Sequence, residues 1–206
     1  MTPRPRLRPA RGRPGKAATR QKILQAAMEV FARKGYHQAV VDDIVKASRT
    51  SKGAVYFHFP GKAELFSALV DEFAARLAST VAEAIEGRRG GLAKVQAALE
   101  SCLGTFARHR ESARLLVIES VSLGPAYQAK RQEIHGRFAA LIRSYLDQAV
   151  EEGSIPPLNT EVATYAWLGA VNELVIQWLH TGRPDLTRDV LPTLTALFLR
   201  SIGARS

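Results

Sequence analysis

From Thr19 onward, apolar residues recur about every three to four positions, and no stretch alternates apolar and polar long enough to make a strand. A chain patterned this way buries helical stripes against one another, so the expected fold is all-α. Glycine and proline mark the joints. Thr19 is placed to cap a first helix whose Ile23, Leu24, Ala27, Val30 and Phe31 share one face, and Gly35 closes it. Further helices are expected over 41–48, 52–58, 62–86, 92–109, 111–122, 125–152, 159–181 and 187–203, about nine in all. Leu65, Phe66, Leu69, Phe73 and Leu77 form the stripe of the fourth. The glycine-rich run 87–91 reads as a loop and candidate hinge. Pro125 fits the first position of the seventh helix, Gly153 its end, and Asn159 or Thr160 caps the eighth.

Residues 41–62 carry the most chemistry. They read as a short helix, a tight turn and a second short helix dense in small, basic and aromatic residues. That is a helix-turn-helix, which lays its second helix in the DNA major groove. Ser51 is an N-cap, leaving backbone amides at a helix start where a phosphate is held well. Lys52, at the first helical position, is placed to reach guanine O6 or N7. Gly53 lets the backbone lie against the duplex. Val55 and Phe59, four apart, are expected in the core with Ile44 and Ala47. Phe57 either touches a thymine methyl or packs on helix 1.

Charge agrees. The chain carries a formal +10, yet residues 1–62 hold fourteen Lys and Arg against three acidic residues, and the remainder nets −1. A basic module joined to a neutral one fits a polyanion-binding head on a body with another task. Prolines interleaved with arginines over residues 1–17 disfavour a helix and describe a disordered arm. Its Arg11-Gly-Arg-Pro14 string resembles the core of the AT-hook. Arg11 and Arg13 there either enter an A·T minor groove or draw phosphates nonspecifically. The single cysteine, Cys102, excludes an intrachain disulfide and reads as a buried small hydrophobe. No window is apolar enough to span a membrane, and no signal peptide opens the chain, so a soluble cytoplasmic protein is expected.

Taken together, Ile23 to Ala27, Phe31, Gly35-Tyr36, Val41 to Ile44, Ala47, Ser51 to Tyr56, His58-Phe59, Lys62 and Leu65-Phe66 closely resemble the DNA-binding domain of tetracycline-repressor (TetR) family regulators. The resemblance implies that Tyr56, His58 and Lys62 contact phosphates. It also implies a body that dimerises through its last two helices and encloses a ligand pocket. The chain then divides into an arm (1–17), a DNA-binding domain (18–63) and a ligand-binding and dimerisation domain (64–206). Two departures from the family pattern stand out. Ala39 and Val40 replace hydroxyl residues before helix 2, with Asp42 and Asp43 placed to offset the lost cap through the helix dipole. Arg49-Thr50 replaces Gly-Val in the turn, where Arg49 either bears strain alone or also reaches a phosphate.

The eighth helix is apolar nearly all round and the ninth strongly so, which argues for a homodimer interface built from helices 8 and 9. Candidate pocket residues are Phe73, Cys102, Phe106, Glu119, Leu123, Tyr127, Phe138, Tyr145, Trp167 and Asn172, with Leu116 and Ile142. Asn172 satisfies a backbone group, bonds across the dimer, or faces a ligand. An apolar, aromatic lining suits a hydrophobic effector such as a fatty acid, an acyl thioester or an aromatic compound. The expected function is a DNA-binding transcriptional regulator, most simply a repressor that such an effector releases from a pseudo-palindromic operator. A nonspecific architectural DNA binder is the alternative. No cofactor or metal is expected. The five histidines form no HExxH pair, no Gly-x-Ser-x-Gly elbow occurs, and the two Gly-Lys strings lack the remaining phosphate-loop positions, so no enzyme is expected.

Overall fold

The computed structural model describes residues 15–118 and 124–203. All regular structure among them is helical: α1 (Lys16–Gln38), α2 (Val41–Ser48), α3 (Lys52–His58), α4 (Lys62–Ile85), α5 (Gly91–Arg108), α6 (Arg110–Val117), α7 (Pro125–Glu151), α8 (Thr160–Thr181) and α9 (Leu191–Ser201). The chain forms two compact units, Met1–Leu65 and Phe66–Ser206.

In the first unit, Ile23, Leu24, Ala27, Val30 and Phe31 of α1 meet Ile44 of α2, Val55 of α3 and Leu65, all fully buried. Helix α1 starts four residues earlier than a Thr19 cap implies. Gly15 occupies the N-cap, and Lys16 and Ala17, expected in the arm, are helical. Gly35, at φ 73°, interrupts α1 as anticipated. The inward position on α2 next to the turn is Ser48, not Ala47, which is exposed. Ser48 tolerates burial because its Oγ donates to the Val45 carbonyl and shares a hydrogen bond with Thr50 Oγ1.

In the second unit, Phe66, Leu69, Phe73 and Leu77 of α4 are buried, and Phe73 lies 5.6 Å from Phe106 of α5, ring to ring. Helices α5 and α7 cross closely at Gly91, where a Cβ would collide with the Tyr145 carbonyl and lie 2.9 Å from the Ala149 nitrogen. Glu152 then accepts the Gly91 N–H, so a carboxylate closes the start of α5. Pro125, Gly153 and Asn159 take the positions read from the sequence, with Asn159 accepting the Val162 N–H at 3.1 Å.

Two further helices differ from expectation. Helix α6 ends at Val117, short of residue 122, and residues 119–123 are outside the described set. The ninth helix does not run evenly over 187–203. It opens as a π-helical turn, Leu186–Val190, capped by Asp185, and only then becomes α9. Pro192 has no N–H to extend an α-helical ladder across that join. Between α8 and α9, Trp167 stacks on Phe198 with ring centroids 4.4 Å apart, and Trp167 Nε1 donates to Ser201 Oγ.

Candidate nucleic-acid interface and effector cavity

The turn between α2 and α3 sets the reading surface. Arg49 carries it, at φ 51° and ψ 39°, and is the only non-glycine residue with positive φ among the described residues. Left-handed backbone at such a residue costs roughly 1–2 kcal/mol, which the Ser48–Thr50 hydrogen bond and the Arg49 N–H to the Lys46 carbonyl help offset. Ser51 caps α3 by accepting the Ala54 N–H at 3.1 Å. From that start, Val55 and Phe59 turn inward, while Lys52, Gly53, Tyr56 and Phe57 face outward. Phe57 is 68% exposed, with Lys16 Nζ 4.9 Å from its ring centroid and His58 edge-on at 5.1 Å.

Asp43 supplies the reciprocal half of a capping box at α2, although no side chain caps the first amides of the helix. Its carboxylate accepts the Val40 N–H at 3.3 Å and pairs with Lys34 at 2.8 Å. The Lys34 ammonium, then the Val40 amide, hold that carboxyl below the usual carboxylate range. Asp42 instead pairs with Lys52 at 2.8 Å, both side chains well exposed, and this pairing raises the Lys52 ammonium. A solvent-exposed pair of this kind is readily exchanged for another anion.

Lys62, which the resemblance implies on a phosphate, turns its side chain back onto the end of α1. Its ammonium donates to the carbonyls of Tyr36, His37 and Ala39, at 2.8, 3.3 and 3.0 Å, and sits over the Tyr36 ring. Three acceptors match its three donors. A phosphate contact requires it to release one of them.

The second unit holds a cavity of about 120 Å³ walled by α4, α5, α7, α8 and α9, with Val117 at the end of α6. Cys102, Phe106, Phe138, Trp167, Asn172 and Ile142 line it, as the sequence suggested. Cys102 is half-buried rather than fully buried as expected, since part of it opens into the cavity, and burial pushes its thiol up to about 12, which keeps it protonated. Phe73 lies behind the lining against Phe106. Tyr127 packs edge-on against Phe66, and Tyr145 beneath Lys94, so neither lines the cavity. Two lining residues escaped the sequence reading, Arg131 and His135. Burial first, then the Arg131 charge, lowers the His135 imidazole. Arg11, Arg13, Glu119 and Leu123 lie outside the described residues. Among the described residues no group of three or more His, Cys, Asp or Glu is placed to hold a metal, and no helix is long and apolar enough to cross a membrane.

Residues 23–69 match the family model for bacterial regulatory proteins of the tetR family, and residues 88–202 match that for the tetracycline repressor-like C-terminal domain. The chain belongs to the TetR family. It is a helix-turn-helix transcriptional regulator. It is 45% identical over 168 residues to the transcriptional repressor AcnR of Corynebacterium efficiens, covering 80% of this chain and 83% of that one. Its fold is shared with the fatty acid degradation regulator FadR of Bacillus halodurans, at TM-score 0.81 and 23% identity, over 91% of this chain and 97% of that one. FadR of Bacillus subtilis, solved with stearoyl-CoA, superposes at TM-score 0.77 and 22% identity, over 88% and 98% of the two chains. In this TetR-family member, Asp43 fixes the Val40 N–H at the uncapped start of α2, and the Ser48–Thr50 pair brackets the left-handed Arg49.

Proposed function

We propose that this regulator is a homodimeric repressor that binds a pseudo-palindromic operator and is released by a small hydrophobic effector. The observation that carries the DNA-binding part is the outward face of α3, where Lys52, Gly53 and Tyr56 stand together beside the capped helix start. Lys52 reads a base edge after exchanging Asp42 for the duplex, while Tyr56, His58 and the α3 amides hold phosphates. Arg49 projects from the turn and is exposed, suiting a backbone phosphate. Phe57 with Lys16 extends the same surface.

Pairing is supported by apolar side chains left open on the last two helices: Val162 is 63%, Tyr165 58% and Leu197 53% exposed. A two-fold dimer reads half-sites about one helical turn apart, roughly 34–36 Å in the simplest arrangement. Repression accords with the name of the Corynebacterium efficiens relative. Release accords with the apolar cavity, and with a protein of the same fold that holds stearoyl-CoA. The effector favours a body conformation in which α4 sets two heads at a separation the operator does not match.

The test is selection of bound genomic fragments, followed by affinities for the selected operator and for random DNA at one salt concentration. The regulator reading expects the operator to win by at least about a thousandfold. Equal affinities would establish a nonspecific architectural binder instead. Lys52→Ala should weaken operator binding far more than random-DNA binding. Deleting residues 1–14, which leaves the Gly15 cap and Lys16 of α1 in place, should flatten the salt dependence of affinity, and an unchanged slope would show that the arm meets no phosphate.

A further inference from the structure

Along α7, residues Arg131, Ile134, His135, Phe138, Leu141 and Ile142 make one helical stripe, and all of them line the cavity. A stripe that faces an interior is expected to be apolar throughout. Here its first position is a guanidinium and its third an imidazole. Helix α7 carries four cations. Lys130 pairs with Asp71 at 2.6 Å, Arg137 with Glu133 at 2.6 Å, and Arg143 with Asp147 and Glu161 at 3.8 and 3.6 Å. Arg131 has no carboxylate partner among the described residues, and its Nε is buried without any hydrogen-bond partner.

An unsatisfied guanidinium N–H inside an apolar wall is costly to the free protein. It is tolerated where a bound anion completes it. Two further polar side chains open into the same space, His135 and Asn172, and neither makes a side-chain hydrogen bond to a described residue. The rest of the lining is aliphatic, aromatic or thiol. A cavity with one concentration of polarity and otherwise apolar walls fits a ligand with one charged end. The planar fork of arginine matches a carboxylate in two parallel hydrogen bonds.

We propose that the effector is an organic carboxylate with an apolar body, its carboxylate seated on Arg131 and hydrogen-bonded by His135 and Asn172, its body among Leu99, Phe106, Phe138 and Trp167. The assignment rests on reading the second unit as effector-binding and adds the chemical class. Neutral imidazole suits the site because it donates one hydrogen bond without adding a second buried charge.

The experiment uses the full chain and two probes of equal length, decanoate and 1-decanol, with binding followed by calorimetry. Decanoate should bind, 1-decanol should bind at least tenfold more weakly, and Arg131→Met should cost decanoate roughly tenfold to a hundredfold in affinity. Arg131→Lys should retain part of it. Without ligand, Arg131→Met should melt at the same temperature as the parent or higher, because a methionine leaves no unpaired N–H. A lower melting temperature would show that Arg131 is held by the protein itself and would overturn the proposal. So would equal affinity of the two probes, equal binding by parent and Arg131→Met, or no binding of decanoate. Displacement from a selected genomic fragment separates this proposal from the release mechanism. Decanoate binding that leaves the DNA complex intact keeps the anchor and refutes release. Release by 1-decanol as readily as by decanoate keeps release and refutes the anchor.

Discussion

Gly53 is the second residue of α3, faces outward, and has no internal reason to be glycine. Its φ is not positive, and a Cβ built on it meets no heavy atom within 4 Å. Alanine there should therefore stabilise the isolated head. Replacing glycine by alanine within a helix gains roughly 0.5–1 kcal/mol, and the first turn puts this site near the lower figure, about a twofold gain in the folded-to-unfolded ratio. If the backbone at Gly53 lies against DNA, the same methyl should obstruct binding. Forcing one extra methylene into a packed contact costs typically 1–3 kcal/mol. Two heads double it, so operator affinity should fall by about 2 kcal/mol or more, roughly thirtyfold. The measurements are urea unfolding of Gly53→Ala without DNA, and fluorescence anisotropy titration of labelled operator at fixed salt. A variant that is folded, no less stable, and much weaker on the operator confirms that the constraint at residue 53 is external. Operator affinity within about twofold of the parent would refute the reasoning, since the outward face of α3 would then not approach the duplex at that point.

Three other outcomes follow from the same geometry. Lys62→Met removes a charged donor to three carbonyls and should lower unfolding stability by about 2 kcal/mol in urea titration. The salt dependence of operator affinity should not change, and a slope shallower by about one per subunit would instead assign Lys62 to a phosphate. Gly91→Ala must push α5 from α7 at the Tyr145 carbonyl, and should cost about 1–3 kcal/mol or more in thermal unfolding, with an unchanged melting temperature contradicting the close crossing. Cys102 should resist thiol reagents at pH 8 in the native protein and react promptly in urea. Burial penalises the thiolate, so the folded-state value lies above the unfolded one and almost no thiolate exists at that pH. Prompt native labelling would place the thiol outside the wall.

The head was largely legible because its determinants are local. The stripe from Ile23 to Phe31, the Ser51 cap and the break at Gly35 each depend on residues a few positions apart. Lys62 was legible as a cation but not as a cap, because its acceptors lie more than twenty positions upstream. In the body, periodicity identified the inward side of α7 but not how far along it the cavity extends. Tyr127 and Tyr145 share the register of Arg131 and Leu141, yet packing against Phe66 and Lys94 closes the space before it reaches them. Arg131 and His135 were passed over because charge on an amphipathic helix ordinarily marks its wet face. A cavity wall can reverse that rule, and where it does so depends on packing between helices rather than on spacing within one.

The ammonium of Lys62 also bears on modularity. Because the first residue of α4 ties down the carbonyl end of α1, the opening turn of α4 is mechanically part of the reading head, and the boundary of the first unit falls at Leu65. A chimera that joins this head to a foreign body at the Pro60-Gly61 break would sever the tie and leave three carbonyls without their donor. Grafts intended to transplant its operator preference should carry the chain through Leu65.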